Sequence, residues 1–246
     1  MYFTKIFSKS ARIELSSKNK EELLFWQNEV DNYIKWYDGE IAMHYDEATP
    51  SVERKIYKYN KKENAILTWF ETHQKTKYIE DLKIKSDAFT GIKVLDIGSG
   101  PFPNASFLNN CEVYNLDPLL PYYLLAGFPL HIYNGDIKFI YGYSEKIPVE
   151  DNYFDLILSL NALDHVDNFE DTAREIKRVL KGNGKLRFHI HYHKKTKTEP
   201  LELNDKIVSE AFSWCNGFKK ISETKKKRGS VVTNFDEKYT LWTNFD

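Results

Sequence analysis

The sequence predicts an α/β chain: a mostly parallel sheet flanked by helices, preceded by a helical N-terminal region. Three observations carry this. The apolar period changes near residue 91, from helical spacing to short runs. From there, short apolar runs alternate with helical stretches, the pattern of βαβ units. The first such run, Val94-Leu95-Asp96-Ile97, enters a glycine turn, Gly98-Ser99-Gly100.

The elements follow in order. Residues 1–90 read as a helical cap or oligomerisation region, and residues 91–246 as the α/β domain. In the first helix Leu23, Leu24, Trp26, Val30, Tyr33, Ile34 and Tyr37 recur at helical spacing, and Asp38-Gly39 closes it. Ile41 to Pro50 reads as a loop. A second helix is expected over Val52 to Lys75, with Ile56, Tyr59, Ala65, Ile66, Trp69 and Phe70 inward. Such an aromatic stripe is more often core or dimer surface than ligand pocket, and a helical cap over an active site shows the same pattern. Strands are expected at Ile92–Ile97, Glu112–Leu116, Leu130–Tyr133, Phe154–Ser159 and Lys185–Tyr192. Helices are expected near Ala105–Asn109, Leu119–Ala126, Phe169–Leu180 and Leu203–Cys215. Phe218–Thr224 and Glu237–Phe245 read as a terminal antiparallel pair.

Composition narrows the function. The chain has 246 residues, enough for one α/β domain plus an appendage. A formal net charge of −1 calls for neither a nucleic-acid nor a membrane partner. Two basic runs, Lys194-Lys195-Thr196-Lys197 and Lys225-Lys226-Lys227-Arg228, read as solvated loops, the first also placed to attract an anionic substrate. Cys111 and Cys215 lack metal-ligand spacing and sit among apolar neighbours, as in a reducing cytoplasm. No signal-peptide pattern opens the sequence, and no window reaches the roughly 18 apolar residues of a membrane span. A cytoplasmic protein is expected.

The glycine turn carries the chemistry. Glycine at 98 and 100 permits positive φ and close approach of a ligand to the backbone. Ligands of open α/β sheets bind at the carboxyl ends of such strands. Asp96 is placed to orient the loop or meet a ligand's ammonium through water. About 20 residues on, Tyr114-Asn115-Leu116-Asp117-Pro118 sets a carboxylate at the end of the next strand, where an acid meets ribose hydroxyls. A dinucleotide loop would carry a third glycine where Pro103 stands. Pro101 and Pro103 also remove amide donors for a phosphate, so the loop favours a ligand without pyrophosphate.

These residues resemble motifs I and II of the class I S-adenosylmethionine-dependent methyltransferases. Ser144-Glu145-Lys146-Ile147-Pro148 resembles the stretch that frames the adenine, and Asp151-Asn152-Tyr153-Phe154-Asp155-Leu156-Ile157 the approach to the fourth strand. Asn161-Ala162-Leu163-Asp164-His165-Val166 resembles the segment beside the methionine moiety, and Arg174 to Lys185 the helix and turn before strand five. The likeness runs from Ile92 to His193. It implies a Rossmann-like methyltransferase fold, with a mostly parallel seven-stranded sheet ending in an antiparallel pair. It implies S-adenosyl-L-methionine as cofactor and S-adenosyl-L-homocysteine as product. Gly98, Ser99 and Gly100 would line the cofactor with Asp96 beneath. Asp117 would hold the ribose, and Leu119 after Pro118 would pack on the adenine. Ser144 and Glu145 would frame that base, and Asn161 and Ala162 would meet the methionine part. One departure is Gly142-Tyr143, where the family often has Gly-Asp; Tyr143 cannot accept the adenine amine in the same way.

An acceptor hydroxyl needs a base, and histidine suits that by pKa. His165 follows the fourth strand. His189, His191 and His193 alternate along the fifth and share one face. His165 and His191 are the expected catalytic residues, and His189 reads as a core histidine. Alternating histidines with Asp164 and His165 can also hold a cation, but the motifs resemble the metal-free branch, so no metal is expected. Asp164 can instead fix a histidine tautomer.

The expected function is O-methylation of a small molecule: a sugar, nucleotide-sugar or phosphorylated precursor of a bacterial surface polysaccharide. This acceptor class is implied by the resemblance, with aromatic richness and the Lys194–Lys197 run beside it. Alternatives are N-methylation of a small amine or natural product, and a non-catalytic S-adenosylmethionine-binding partner protein. Partners are a small-molecule acceptor and a second copy of the chain, with no nucleic acid.

Overall fold

The computed structural model describes residues 15–42, 58–133, 136–224 and 238–246. Seven strands form one sheet in the order β3-β2-β1-β4-β5-β7-β6. They are β1 (Lys93–Ile97), β2 (Glu112–Asp117), β3 (Ile137–Tyr141), β4 (Phe154–Leu160), β5 (Leu180–Tyr192), β6 (Lys219–Thr224) and β7 (Lys238–Thr243). The first five pair in parallel, and β7 runs antiparallel between β5 and β6. The predicted architecture is therefore present, including the antiparallel last pair.

The order reverses between β1 and β4, the switch point where open sheets bind ligands at their strand tips. Both strands are largely buried on both faces, in keeping with their mostly apolar sequences: Leu95, Leu156 and Ile157 are wholly inaccessible.

The third strand is a correction. Leu130–Tyr133 forms turn, and the strand lies at Ile137–Tyr141. Leu130 is buried against the helical region, with Tyr133 packed at its edge, so their apolar character serves that contact. The helix expected at Ala105–Asn109 is one 3-10 turn, Asn104–Phe107.

The helical region begins with α1 (Ser17–Asp38). The Ser16 side chain accepts the Asn19 amide at its start, and Gly39 ends it in the left-handed conformation. A second helical run comprises α2 (Lys61–Trp69), a π segment (Phe70–Gln74) and α3 (Lys75–Leu82). Asn60 and Glu63 form a capping box at its start. It begins later and extends further than expected; residues 52–57, most of the expected loop and the run Lys225–Arg228 lie outside the described residues. The remaining helices are α4 (Leu120–Ala126), α5 (Phe169–Val179) and α6 (Asp205–Ala211).

The helical region shares its core with the sheet domain. Val30, Tyr33, Trp36 and Trp69 pack with Phe102, Leu119, Tyr123 and Phe128 over the glycine loop. Tyr78 and Leu82 pack with Val94, Leu156 and Leu158 beneath the sheet. Arg187, buried on β5, donates to the carbonyls of Leu82, Lys83 and Phe245, so it satisfies the end of α3 and the chain terminus together.

Candidate functional site

At the switch point the chain encloses a cavity of about 480 Å³. Its floor is the glycine loop. The Gly98 amide donates to the Leu116 carbonyl at 2.8 Å, which ties the loop to the end of β2. Gly98 has φ +68°, and a Cβ there would overlap the Ala162 Cβ, so only glycine fits. Asn104 donates its side-chain amide to the Ser99 carbonyl and holds the loop from the far side.

Asp117 closes the loop from β2. Its Oδ2 accepts the Gly100 amide at 2.9 Å and its Oδ1 accepts the Leu119 amide at 2.8 Å. A carboxylate offers about four lone-pair sites, so two remain toward the cavity. Burial pushes Asp117 up to about 7, although both amides favour its charged form. Asp96 lies beneath the loop and does not line the cavity. Its Oδ1 accepts the Tyr78 hydroxyl at 2.9 Å, and burial pushes it up to about 8. Asp96 therefore joins α3 to β1 under the loop.

The other sequence-predicted residues do line the cavity: Ser99, Pro118, Leu119, Tyr143, Ser144, Glu145, Asn161, Ala162, His165 and His191. Ser144 also hydrogen-bonds the Thr172 hydroxyl, and Glu145 accepts the amides of Asp167 and Asn168. Those two bonds dock the tip of β3 onto the start of α5. Tyr143 is 41% exposed, with its hydroxyl 3.5 Å from the Asn19 side-chain nitrogen of α1.

Asn161 adopts φ +50° just after β4, and its Oδ1 lies 2.7 Å from His189 Nδ1. His189 is half-buried and stacks on Tyr239. His191 stacks on the same Tyr239, with ring planes 1° apart, and reaches the cavity. His193 does not line the cavity; its side chain is 2% exposed.

Sequence reasoning missed two groups. Helix α1 roofs the cavity: Trp26 lies against Gly100, where a Cβ would come within 3.1 Å of its ring, and Lys18 donates to the His165 carbonyl at 2.7 Å. The Trp26 periodicity was visible in the sequence, but its target was not. Glu199 is the second. Its carboxylate stands 3.6 Å from His165 Nε2, 3.9 Å from His191 Nδ1 and 3.8 Å from His193 Nδ1. The contact with His191, ahead of the charges of the other two rings, holds Glu199 down at about 2. Nothing in the surrounding Lys-rich segment signals this role. Lys194 and Lys197, by contrast, do not line the cavity; they pair with Glu202 and with Glu21 at its rim.

Known proteins can be set beside this geometry. Residues 95–188 match the family described as "Methyltransferase domain". The match covers 94 of the 246 residues. The matched segment holds the glycine loop, Asp117 and Asn161; the roof of α1 lies outside it. The ubiquinone/menaquinone biosynthesis C-methyltransferase UbiE of Pseudomonas savastanoi pv. phaseolicola is 30% identical over 107 residues, which are 43% of this chain and 36% of that protein. UbiE of Azotobacter vinelandii is 40% identical over 52 residues, 21% of each chain. The chain thus spans about a third or less of the length of these relatives. Among solved structures, the YcgJ protein of Bacillus subtilis superposes with a TM-score of 0.53 at 17% identity, over 70% of this chain and 97% of that one. A phosphoethanolamine N-methyltransferase of Haemonchus contortus, bound to phosphomonomethylethanolamine and S-adenosylhomocysteine, superposes with a TM-score of 0.54 at 15% identity, over 68% and 52%. These two likenesses are of fold. Among the described residues, no helix is long and apolar enough to cross a membrane.

Proposed function

We propose that this protein transfers the methyl group of S-adenosylmethionine to a hydroxyl of a small, uncharged acceptor. The observation that carries the reading is a single cavity lined both by the glycine loop with Asp117 and by His165 and His191 with Glu199. The cofactor supplies a methyl group already activated by its sulfonium charge. Asp117 keeps lone pairs for two ribose hydroxyls, and Gly98 keeps the backbone bare where the methionine part would pass. Asn161 and Ala162 border the same space. His165 lines the same cavity, 31% exposed, where it can take the proton of an acceptor hydroxyl, and Glu199 stabilises the imidazolium that results.

The charge of the walls bears on the acceptor. Glu21, Glu22, Glu29, Glu145, Asp164 and Glu199 line the cavity, against Lys18 and Lys77. Such a surface favours neutral or cationic ligands over phosphorylated ones. A neutral, polyhydroxylated acceptor such as a sugar, stacked on the cavity aromatics, is the reading we adopt. The acidic walls also support a second reading, N-methylation of a small amine, whose cation they would attract. The names of the UbiE relatives support a third outcome, transfer to carbon. The discriminating experiment is an acceptor screen by mass spectrometry with S-adenosylmethionine. It scores a mass gain of one methylene and the atom that carries it. Methylation of neutral hydroxylated compounds supports the proposal; turnover confined to amines, to carbon or to phosphorylated compounds contradicts it.

A further inference from the structure

Asp164, His191, His193 and Glu199 bring one ligand atom each to within 4.8 Å of one another, beside the acceptor wall of the cavity. The four come from the turn after β4, the end of β5 and the segment beyond it. Their placement is thus a product of the fold.

The pair at the centre is the informative one. His193 Nδ1 lies 2.6 Å from the Lys194 carbonyl, which can only accept, so that nitrogen carries the proton. In a neutral ring Nε2 then presents its lone pair. It faces Asp164 Oδ2 at 3.5 Å, and neither atom has a hydrogen-bond partner. The second carboxylate oxygen of Asp164 is likewise buried without one. The Asp164 and His193 side chains are 1% and 2% exposed, so water does not satisfy them from bulk. Two buried acceptors aimed at each other call for either a proton or a metal cation between them. Around a tetrahedral ion with bonds of about 2.0–2.1 Å, neighbouring ligand atoms stand roughly 3.3 Å apart. The Asp164–His193 separation is close to that edge. The carbonyl behind His193 is the outer-shell partner that metal-bound histidines ordinarily have.

We propose that Asp164, His191, His193 and Glu199 form a binding site for one divalent transition-metal cation at the edge of the acceptor cavity. Two imidazoles and two carboxylates, without thiolate, suit zinc, manganese, iron, cobalt or nickel in the divalent state. This revises the metal-free expectation from the motifs, which saw neither Glu199 nor the closure of His193 on Asp164. The site rests on local geometry and stands apart from the identity of the acceptor. If the proposed O-methyl transfer holds, a cation here would lie where it can polarise an acceptor hydroxyl.

The competing occupant is a proton: a doubly protonated His193 paired with Asp164 would satisfy both atoms. The test uses the full chain, freed of metal by a chelator, with cobalt(II) as the probe. Absorption in the visible ligand-field region is titrated, and zinc and manganese are measured by calorimetry. The expected result is one equivalent of bound cobalt with ligand-field bands, displaced by zinc. Affinity should fall about 100-fold or more in His193→Ala and in Asp164→Asn. Because those buried changes disturb the fold, Glu199→Gln is the second variant; it should weaken the metal at least tenfold with an unchanged melting curve without metal. S-adenosylhomocysteine binding is measured on the same samples. Cofactor binding with no stoichiometric metal, or metal binding that Glu199→Gln leaves unaltered, overturns the site and leaves the methyltransferase reading standing. Metal binding without cofactor binding supports the site and removes that reading instead.

Discussion

Asp117 accepts the Gly100 amide at 2.9 Å, so the acid at the tip of β2 and the glycine loop after β1 form one unit. The same carboxylate accepts the Leu119 amide, which orders the turn into α4. Asp117 thus shapes the loop before any ligand arrives. The arrangement is preorganised, and burial makes it costly.

That cost gives a pH dependence. Burial raises Asp96 to about 8 and Asp117 to about 7, against about 3.9 in an unfolded chain. Folding therefore takes up protons between about pH 4 and pH 8, and stability falls as pH rises through that window. The melting temperature of the cofactor-free protein should drop from pH 5 to pH 8. Asp117→Asn should start lower, because an amide cannot accept from both Gly100 and Leu119, and should fall less steeply. Parallel profiles for the two proteins would contradict the burial argument.

Gly98→Ala should fail on two counts, a strained left-handed backbone and overlap with Ala162. Together these cost about 2–4 kcal/mol. Adding Ala162→Gly removes the overlap and should restore part of the stability and of the S-adenosylhomocysteine affinity. A double variant no better than the single one would place the clash elsewhere. Thermal melts and calorimetry on the two variants decide this.

Trp26 links the helical roof to the glycine loop, in edge contact with Phe102, Tyr123 and Phe128 and against Gly100. Its indole donates to Glu22 at 2.9 Å. A ligand on the glycine loop should change its emission. Trp26→Phe should abolish most of the fluorescence change on S-adenosylhomocysteine binding, with affinity lowered by about tenfold. A full signal from the remaining tryptophans would show that α1 does not sense the ligand.

His165→Ala should cut turnover by about 10²-fold or more while cofactor affinity stays near that of the parent. Steady-state rates on the acceptor found by screening, with calorimetry alongside, separate the two effects. A near-normal rate would remove His165 as the base.

Much of the wall formed by the glycine loop and Asp117 was legible because it is local in sequence. Val94 to Gly100 and Tyr114 to Leu119 are strand-and-turn segments whose chemistry needs only their own residues and one neighbouring strand. Ser99, Asn161 and Ala162 follow the same logic. The third strand was misread because Leu130–Tyr133 is apolar for another reason: it covers the helical region, while Ile137–Tyr141 is only half-buried at the sheet edge. The acceptor wall was legible only in part. Alternation along β5 put His189, His191 and His193 on one face, yet their separate fates depend on Asn161, Tyr239, Asp164 and Glu199. Those partners come from other parts of the chain. The aromatic stripe of α1 showed that a face would be buried, but only packing shows that Trp26 ends on Gly100.

The methyltransferase reading turns on whether the strand tips bind the nucleoside. Calorimetric titration of the full chain with S-adenosylhomocysteine measures this most directly. The account predicts one site in the parent protein and an affinity weakened about 100-fold in Asp117→Ala, which removes the group placed to meet the ribose hydroxyls. No binding to the parent, or equal binding to parent and variant, would contradict it.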